Sequence, residues 1–418
     1  MPQADTSADR ELAATAWKTW LAIGATGFGG PAGQVAILHR EVVERKRWLT
    51  EEEFLAALRV CMLLPGPEAQ QLATYAGWRT GGNWGGLLAG TLFVVPGAVL
   101  VTALAWLHAA GRDVPLVAAA FAGVRPAVVA LVGLAAWRIG RRSIRSPAGA
   151  ALAIAAAAAL AWGLPFPAVV AICGVCGWLA PAARDPAAAP PEANHPARRG
   201  LARHAAAVAG IAAAVWAGCY GIVRLTDAAG GQGPALATLF TQTTLLSLGG
   251  AYAVVPWALD EAVARGWLDA GERFTALAMG EATPGPLILV VTFIGFLAGW
   301  KAAPGSAAVA GLEGAATATA FAFIPSFAMI LALAPAVRSI HAGSRLGRAL
   351  AAVGAAVVAA IALLAIRLAQ DAFLPAGRLD AIAVVIATLA AVALAGAKAP
   401  TPLVVLATAA LGVLRAAL

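Results

Sequence analysis

The 418 residues are 61% hydrophobic and only 12% charged, and the mean hydropathy is +0.80. Soluble globular domains carry about 25% charged residues, so this composition excludes a water-soluble protein and indicates a membrane protein. The net charge of +8 comes mostly from basic residues in short loops between apolar runs, which argues against nucleic-acid binding and favours contact with a lipid bilayer.

Long apolar runs without formal charge follow one another along the chain. They cover residues 84–107, 148–164, 205–223, 349–366 and 381–397. Their lengths match the roughly 17–25 residues that a helix needs to cross a bilayer. Alternating strand patterns are not seen, and backbone groups in lipid must pair within their own segment. The sequence therefore predicts an all-α polytopic membrane protein with nine to thirteen spans.

Two segments near the N-terminus are predicted to break helices. Residues 27–31 read Gly-Phe-Gly-Gly-Pro, and residues 65–67 read Pro-Gly-Pro. Glycine frees the backbone and proline removes a hydrogen-bond donor, so neither segment suits an uninterrupted helix. The stretches on either side of residues 65–67 are too short to span separately, which favours a re-entrant hairpin. Between the two breaks, Thr50 and Glu53 have the spacing of a helix-capping box.

The second part of the chain repeats these landmarks at a nearly constant separation. Gly29 and Gly30 match Gly249 and Gly250, Trp48 and Leu49 match Trp267 and Leu268, Phe54 matches Phe274, and Pro65-Gly66-Pro67 matches Pro284-Gly285-Pro286. Further along, Pro96 matches Pro325 after an insertion in the second copy. The chain is therefore predicted to consist of two homologous halves, 1–181 and 205–418, joined by a proline-rich linker at 182–204.

The distribution of basic residues orients the two halves. The segments 40–47, 138–145 and 182–204 each hold four Lys or Arg, so the positive-inside rule assigns them to the cytoplasm. The loop at residues 260–273 holds two Arg and four carboxylates, which fits the outer side. One extra span at residues 205–225 precedes the second repeat. These features predict an inverted-repeat arrangement, as in many secondary transporters.

The two Pro-Gly-Pro segments are the predicted centre of a binding site. A helix that begins after such a break presents free N–H groups and partial positive charge, which suits an anion. Breaks at corresponding places of two repeats indicate a central transport site, and a pair of structural kinks is the alternative. The candidate binding residues at the breaks are Gly29, Gly30, Gly66, Pro67, Gly249, Gly250, Gly285 and Pro286.

Charged and amide side chains near the breaks complete the candidate site. Arg125 lies in mid-span and, because a lone buried Arg is costly, is expected to contact an anion in a cavity or to pair with a carboxylate. Glu68 and Glu281 flank the breaks and are suited to carrying a coupling proton, to pairing with Arg125 or to capping a helix. The amides suited either to binding an oxyanion or to packing are Gln34, Gln70, Gln71 and Gln242.

Patterns that would indicate a metal or cofactor are not found in the sequence. The five His are scattered, and Cys173 and Cys176 lie in an apolar segment where helix packing is the expected role. No phosphate-binding loop of the Gly-x-x-x-x-Gly-Lys-Ser/Thr type occurs. The sequence therefore predicts no cofactor and no direct coupling to ATP.

These segments together resemble the chromate ion transporter family. The resemblance rests on residues 27–31, 47–49, 54 and 61–71 of the first copy and on residues 248–256 and 281–286 of the second copy. It covers nearly the whole chain and fits the family's long, two-domain form. It implies secondary export of chromate through the bacterial plasma membrane, driven by the membrane potential or the proton gradient and giving chromate resistance, and no enzymatic activity.

The resemblance also implies a substrate close in shape to sulfate. Sulfate is therefore the expected competitor, and a sulfate or other oxyanion transporter is the alternative; a membrane-bound oxyanion-modifying enzyme and a passive pore are more remote. The first copy reads Gly-Gly-Pro where the second reads Gly-Gly-Ala, and Arg125 matches Gly354, so the two halves are not equivalent. The oligomeric state stays open, with a homodimer as one arrangement.

Overall fold

The computed structural model describes residues 6–144, 146–180, 198–226, 231–248, 250–302, 305–339, 345–397 and 399–417. Within these ranges the chain forms helices and no strand, which confirms the all-α prediction. The first half contains α1 (Thr6–Thr26), α2 (Gly30–His39) continued by the π-helix Arg40–Arg45, α3 (Glu51–Cys61), α4 (Glu68–Ala110), α5 (Pro115–Ser143), α6 (Pro147–Ala161) and α7 (Phe166–Leu179).

A connecting helix, α8 (Arg198–Thr226), leads into the second half. That half contains α9 (Gly233–Leu246), α10 (Val255–Ala264), α11 (Glu272–Ala282), α12 (Val290–Ala302), α13 (Ala307–Leu333), α14 (Arg345–Phe373), α15 (Ala381–Ala395) and α16 (Thr401–Ala417). Short 3-10 turns lie at Ala251–Ala253, Leu287–Leu289, Ala334–Ser339 and Pro375–Gly377.

Five of the described helices are long and apolar enough to cross a membrane. They are the segments Glu68–Ala110, Pro115–Arg141, Gly200–Thr226, Ala307–Val337 and Arg348–Phe373. Large apolar side chains point outward, and Trp84 and Trp162 are 83% and 87% exposed. Such surfaces are unfavourable in water and suit a lipid environment. The chain is therefore a multi-pass membrane protein, whereas the total of nine to thirteen spans stays a prediction.

Helix α4 consists of two arms that fold back on each other at residues 81–82. Both glycines there leave helical geometry, and the second of them has a φ of 60°. The first arm (residues 68–80) and the second arm (residues 83–110) then run antiparallel, with Gly77 packed against Ala89. A larger side chain at Gly77 would separate the arms, so this small residue permits the close approach.

The second half builds the same antiparallel pair from two separate helices, α12 and α13. The Oγ1 atoms of Thr292 and Thr319 are 2.8 Å apart. Gly295 packs on Gly314 so closely that a β-carbon on either would meet the other's backbone. The insertion that the repeat analysis places in the second copy therefore lies in the connection between these two helices.

The Pro-Gly-Pro segments are the tips of two re-entrant hairpins. In the first, α3 and the first arm of α4 return to the same end, where Arg79 Nη2 donates to Glu53 Oε1 at 3.0 Å. In the second, α11 and α12 return together, and Lys301 Nζ donates to Glu272 Oε2 at 2.7 Å. The predicted helix breaks are confirmed. We call the Glu53–Arg79 end mouth 1 and the Glu272–Lys301 end mouth 2.

The glycine segments are the tips of two further hairpins. Helix α1 and the α2–π-helix arm reverse at residues 27–30, which brings the rings of Trp20 and Trp48 to 5.3 Å between centroids. Helices α9 and α10 reverse at the matching segment, and Trp267 Nε1 donates to Gln232 Oε1 at 2.9 Å. Each half therefore contains two hairpins whose tips are irregular backbone.

The two mouths lie at opposite ends of the second arm of α4. This arm starts at residues 81–82, directly after Arg79 of mouth 1. Just beyond its far end, Arg112 pairs with Asp269 and lies 3.5 Å from Glu272 Oε1 of mouth 2. At about 1.5 Å per residue the arm is roughly 40 Å long, enough to cross a bilayer. The tips lie between the mouths.

The long helices of each half pack on the other half. Helix α5 lies against α15 and α16, and α14 lies against α6 and α7. Helices α5 and α14 each have 29 residues, and Arg138 of α5 matches Arg367 of α14 at the separation that relates Pro96 to Pro325. The halves are thus interlocked. The domain boundaries stay a prediction, since residues 181–197 lie outside the described part of the chain.

Candidate functional site

The tips of all four hairpins meet in a common centre, which we call the tip junction (the described residues 27–30, 65–67, 247–248, 250 and 284–286). The backbone N–H of Gly285 donates to the carbonyl of Gly27 at 3.1 Å. The backbone N–H of Gly66 donates to Ser247 Oγ at 2.8 Å. Gly27 and Ser247 are matching positions of the two copies, as are Gly66 and Gly285. Each Pro-Gly-Pro glycine is therefore held by the glycine segment of the other half.

Gln34 strengthens one of these two contacts. Its side chain is 2% exposed, and its Nε2 donates to the carbonyl of Gly285 at 2.5 Å and to that of Gly27 at 3.3 Å. The alternative of packing is thus the one that the geometry favours for this amide, because its N–H groups already have backbone partners. Gln34 positions the second Pro-Gly-Pro segment against the first glycine segment.

Gln70 performs a comparable task at the first Pro-Gly-Pro segment. Ser326 Oγ donates to Gln70 Oε1 at 2.6 Å, and Gln70 Nε2 donates to Thr74 Oγ1 at 2.9 Å. All three side chains are fully buried. Ser326 follows Pro325 directly, and its counterpart after Pro96 is Gly97, which packs against the carbonyl of the second segment. The proline kinks of the long helices therefore also contact the opposite tips.

Gln71 has an unpaired polar atom within the junction. Its Nε2 donates to the Pro65 carbonyl at 2.7 Å, whereas its Oε1 is fully buried and has no hydrogen-bond partner among the described residues. A buried acceptor without a partner costs about 1–3 kcal/mol. The unpaired atom is an acceptor and cannot bind an anion, so Gln71 can contribute to an anion site only through its Nε2, which lies beside Gly66.

Four helical segments begin at the junction without a side-chain cap. The residues in the cap positions are Gly29, Pro67, Gly250 and Pro286, and none supplies a hydrogen bond from its side chain. The first N–H groups of a helix have no partner inside that helix, and they carry the positive end of its dipole. Four such ends close together make the junction a favourable place for an anion.

Both predicted carboxylates lie beside the same tip of the second half. A β-carbon built on Gly250 would lie 3.6 Å from Glu68 Oε2. Two residues further on, the hydroxyl of Tyr252 donates to Glu281 Oε1, and Glu281 is 8% exposed. Arg138 is near enough to Glu281 and Tyr252 to interact with them electrostatically. The two carboxylates therefore flank one glycine segment, one from each half.

Arg125 does not lie at the junction. Its side chain is exposed, and its guanidinium carbon is 5.8 Å from the ring centroid of Phe274, near the start of α11. Glu281 is seven residues further along that helix, which is roughly 10 Å at 1.5 Å per residue. The expectation that Arg125 contacts a central anion or pairs with Glu281 is therefore corrected, because α5 brings it to mouth 2.

The structure also identifies residues of the junction that no sequence motif marks. Ser247, Ser326 and Tyr252 form the hydrogen bonds described above, and Arg138 interacts electrostatically with Glu281 and Tyr252. The separation that relates Pro96 to Pro325 also relates Arg138 to Arg367, so extending the repeat comparison into α5 would point to Arg138. Gly249, predicted as a binding residue, lies outside the described residues. Among the residues described, no group of three or more His, Cys, Asp or Glu is arranged to hold a metal ion.

Mouth 2 carries a network of charges that joins the two halves. His108 Nε2 lies 3.4 Å from Glu272 Oε1, Lys301 contacts both Glu272 and Asp269, and Arg112 contacts the same two carboxylates. Burial by itself would raise the pKa of Glu272, but hydrogen bonds from His108 and Lys301 outweigh it and lower that pKa to about 2. The carboxylate is therefore ionised at any physiological pH.

Comparisons with known proteins agree with this architecture. A family model described as chromate transporter matches residues 14–178 and again residues 234–413. The chain is 34% identical to the chromate transport protein of Pseudomonas aeruginosa over 356 residues, which are 84% of this chain and 80% of that protein. It is 28% identical to the chromate transport protein of Cupriavidus metallidurans, over 76% of this chain and 72% of that protein. No solved structure matches the chain.

Proposed function

This chain belongs to the chromate transporter family, and from that premise we propose that it is a secondary transporter that exports chromate from the bacterial cytoplasm and gives chromate resistance. Its named relatives are transport proteins and not enzymes. The tip junction is the proposed binding site. The observation that carries this assignment is the meeting of four uncapped helical starts, two from each half, at one place between the mouths.

The chemistry of the junction suits a tetrahedral dianion. Backbone N–H groups at several helix starts can surround an oxyanion from different directions, as the four corners of a tetrahedron require. The proposed ligands are the N–H groups of Gly29, Gly30, Ala251 and Leu287, with Gln71 Nε2 beside Gly66. The N–H groups of Gly66 and Gly285 already bond Ser247 and Gly27, and Pro67 and Pro286 have none. Such groups recognise charge and shape, and sulfate has both in common with chromate. We therefore expect sulfate to compete.

The proposed topology follows from the mouths. The basic loop at residues 40–47 lies next to mouth 1, and the loop at residues 260–273, rich in carboxylates, forms mouth 2. We assign mouth 1 to the cytoplasm and mouth 2 to the outer side of the plasma membrane. Because the mouths lie at opposite ends of the second arm of α4, this assignment makes the halves inverted repeats with the site between them.

The membrane potential is a sufficient driving force. Moving one charge across 100 mV is worth about 2.3 kcal/mol, so a dianion leaving a cell with a negative interior gains about twice that amount. Coupling to protons is therefore not required. If it operates, Glu68 and Glu281 are the proposed carriers, since both lie beside the tip that contains Gly250.

The test is chromate uptake into inside-out membrane vesicles, with and without an imposed potential and with sulfate as competitor. Accumulation that depends on the potential and is blocked by excess sulfate supports chromate export. A proton gradient imposed without a potential separates the two driving forces. Sulfate accumulation without chromate accumulation would instead assign the alternative, a sulfate transporter, to this chain.

A further inference from the structure

Helix α1 and the α2–π-helix arm, which reverse at residues 27–30, enclose a groove of about 340 Å³ that lies outside the tip junction. Helix α1 contributes one face of it, from Lys18 to Thr26, and the π-helical arm contributes Glu41, Arg45 and Lys46. The groove opens at mouth 1, where the lysines lie. Thr26 is eight positions after Lys18, so the two ends of the groove are roughly 12 Å apart along α1.

The open end of the groove is positively charged. Arg45 Nη1 donates to Glu41 Oε1 at 2.9 Å, which compensates the one carboxylate of the lining. Lys18 lies 5.7 Å from the ring centroid of Trp17. None of the carboxylates whose side chains the structure describes, all of which follow residue 15, forms an ion pair with Lys18 or Lys46. Two cationic side chains therefore remain for an anion. A concave surface with charge of one sign concentrates the opposite ion.

The inner end of the groove reaches the tip junction. Thr26 is the last residue of α1, and the carbonyl of the next residue, Gly27, accepts the N–H of Gly285. The Thr26 hydroxyl donates to the Ala22 carbonyl at 2.7 Å, and it can donate to an anion only when its O–H turns from that carbonyl to the groove. An anion that moves from the lysines along α1 would thus arrive beside the helix starts of the junction.

The matching hairpin of the second half does not have this charge. Lys18 matches Thr238, and Thr26 matches Leu246, at the separation that relates Gly30 to Gly250. Counting back from the turn at Gly266, Lys46 matches Arg265, which pairs with Glu261 at 3.3 Å and stacks on Trp267. The unpaired lysines are thus confined to the mouth that we assign to the cytoplasm.

The π-helix is the feature of the backbone that accounts for this difference in charge between the two hairpins. The separation in sequence between Trp48 and Trp267 is one position smaller than that between Gly30 and Gly250. The hairpin at residues 27–30 is therefore one residue longer than the matching hairpin of the second half. A π-helix bonds each residue to the fifth one along, and Arg40–Arg45 accommodates the additional residue in this way. Such single turns recur at functional sites, and here the turn places Arg45 and Lys46 on the groove.

We propose that this groove is a second, outer binding site for the transported oxyanion. It would collect a tetrahedral dianion from the cytoplasm through Lys18 and Lys46 and pass it along Thr26 to the tip junction. This inference rests on the proposed function, which makes mouth 1 the side of uptake. It assigns to the two lysines the capture of substrate at low concentration and no part in the translocation step.

The experiment compares Lys18→Gln/Lys46→Gln with the wild type in inside-out vesicles, using initial rates of chromate uptake. We expect KM to rise about fivefold to tenfold with little change in kcat, because capture and not translocation is weakened. The salt dependence of KM should flatten in the variant. Lys18→Arg/Lys46→Arg should retain the wild-type KM. The control is Arg203→Gln, which removes an exposed cation of α8 that does not line the groove.

Because basic residues also orient membrane helices, cysteine labelling from each side must show unchanged topology in every variant. With topology intact, a wild-type KM in the double variant would overturn the proposed role of the groove, and so would an equal rise of KM in Arg203→Gln. If wild-type vesicles move no chromate, the proposed function fails. Equilibrium binding of chromate to the purified protein then decides the groove, and an unchanged Kd in the double variant would reject it.

Discussion

The two mouths have the same hairpin geometry, but they are held to the rest of the molecule by different interactions. At mouth 1, the buried Glu53 binds Arg79 of its own hairpin. At mouth 2, the matching Glu272 binds Lys301 in the same way and additionally contacts His108 and Arg112 from the end of α4. At both mouths the carboxylate pairs within its own hairpin, and at mouth 2 it also contacts cations at the end of α4.

The residue that matches His108 explains part of this difference. At the separation that relates Pro96 to Pro325 it is Val337, which is 2% exposed in the 3-10 turn that packs on α3. The contact between halves is thus apolar at that position of mouth 1 and charged at mouth 2. Opening mouth 2 would remove cationic partners from a buried carboxylate, which is costly. Mouth 2 is therefore closed by charge pairs between the halves in this structure.

The largest effect, a loss of chromate uptake, is expected from a change in the tip junction that leaves both mouths intact. In Gly66→Ala, the added β-carbon would lie 2.6 Å from Gln71 Nε2 and 2.8 Å from Ser326 Oγ, and the φ of +120° disfavours any side chain. We expect chromate uptake to fall more than tenfold, since the tip must move to fit the methyl group. Gly133→Ala is the control, because nothing lies within 4 Å of its β-carbon position. Normal uptake in Gly66→Ala would remove the tips from the proposed site.

The second-largest effect, a loss of stability, is expected when the buried carboxylate of mouth 2 is removed. Glu272→Gln leaves His108 and Lys301 without their buried carboxylate, and loss of one partner from a buried ion pair costs about 3–5 kcal/mol. We expect the purified protein to unfold at a clearly lower temperature. Glu53→Gln is the matched variant at mouth 1, and its effect should be smaller because Arg79 is more exposed than Lys301 and His108. Equal losses in both variants would contradict the difference between the mouths.

A milder change makes mouth 2 resemble mouth 1. In His108→Val, the contact of His108 with Glu272 at 3.4 Å is lost while Lys301 and Arg112 remain. We expect a destabilisation of about 1 kcal/mol, as for one side-chain hydrogen bond, and easier opening of mouth 2. Labelling of a single cysteine at Gly271 by a membrane-impermeant reagent measures the opening. A rate no faster than in the same cysteine variant with His108 present would count against a closing role for the network.

The smallest effect is a dependence on pH that lies outside the physiological range. Because the folded pKa of Glu272 is lowered to about 2 from an ordinary value of 4.5, its contribution to stability is complete above pH 4.5 and is lost as the pH falls toward 2. The titration of Glu272 should therefore leave the difference in unfolding temperature between wild type and Glu272→Gln constant from pH 5 to 8. A difference that already shrinks at pH 6 would show that another group controls mouth 2.

The helix breaks are predictable because proline and glycine act on their own backbone. Residues 27–31, 65–67 and 284–286 interrupt helices as the sequence indicates. The capping box is equally local, and Thr50 Oγ1 accepts the N–H of Glu53 at 3.2 Å. Glu53 also binds Arg79, which the capping pattern does not indicate, because that contact depends on the return of the hairpin.

The neighbours of Arg125 could not be predicted from its own segment of the sequence. Its place in the middle of an apolar run indicates that it needs a polar or aromatic neighbour, but it does not identify that neighbour. Packing of α5 on α11 places it on Phe274, whereas Arg138 of the same helix comes near Glu281. The direction of a side chain from a helix is set by the helix that packs beside it, and that information is not contained in either segment alone.

By itself the sequence determined that this protein is an all-α membrane protein made of two related halves with matching breaks, because hydropathy, proline, glycine and repeats are properties of single segments. Only the tertiary structure decided that Gly66 meets Ser247 and that Gly285 meets Gly27 and Gln34. These residues are far apart in the chain, and their contacts arise from the way in which the two halves interlock. For the same reason the charged network of mouth 2 could not be inferred from its separate members.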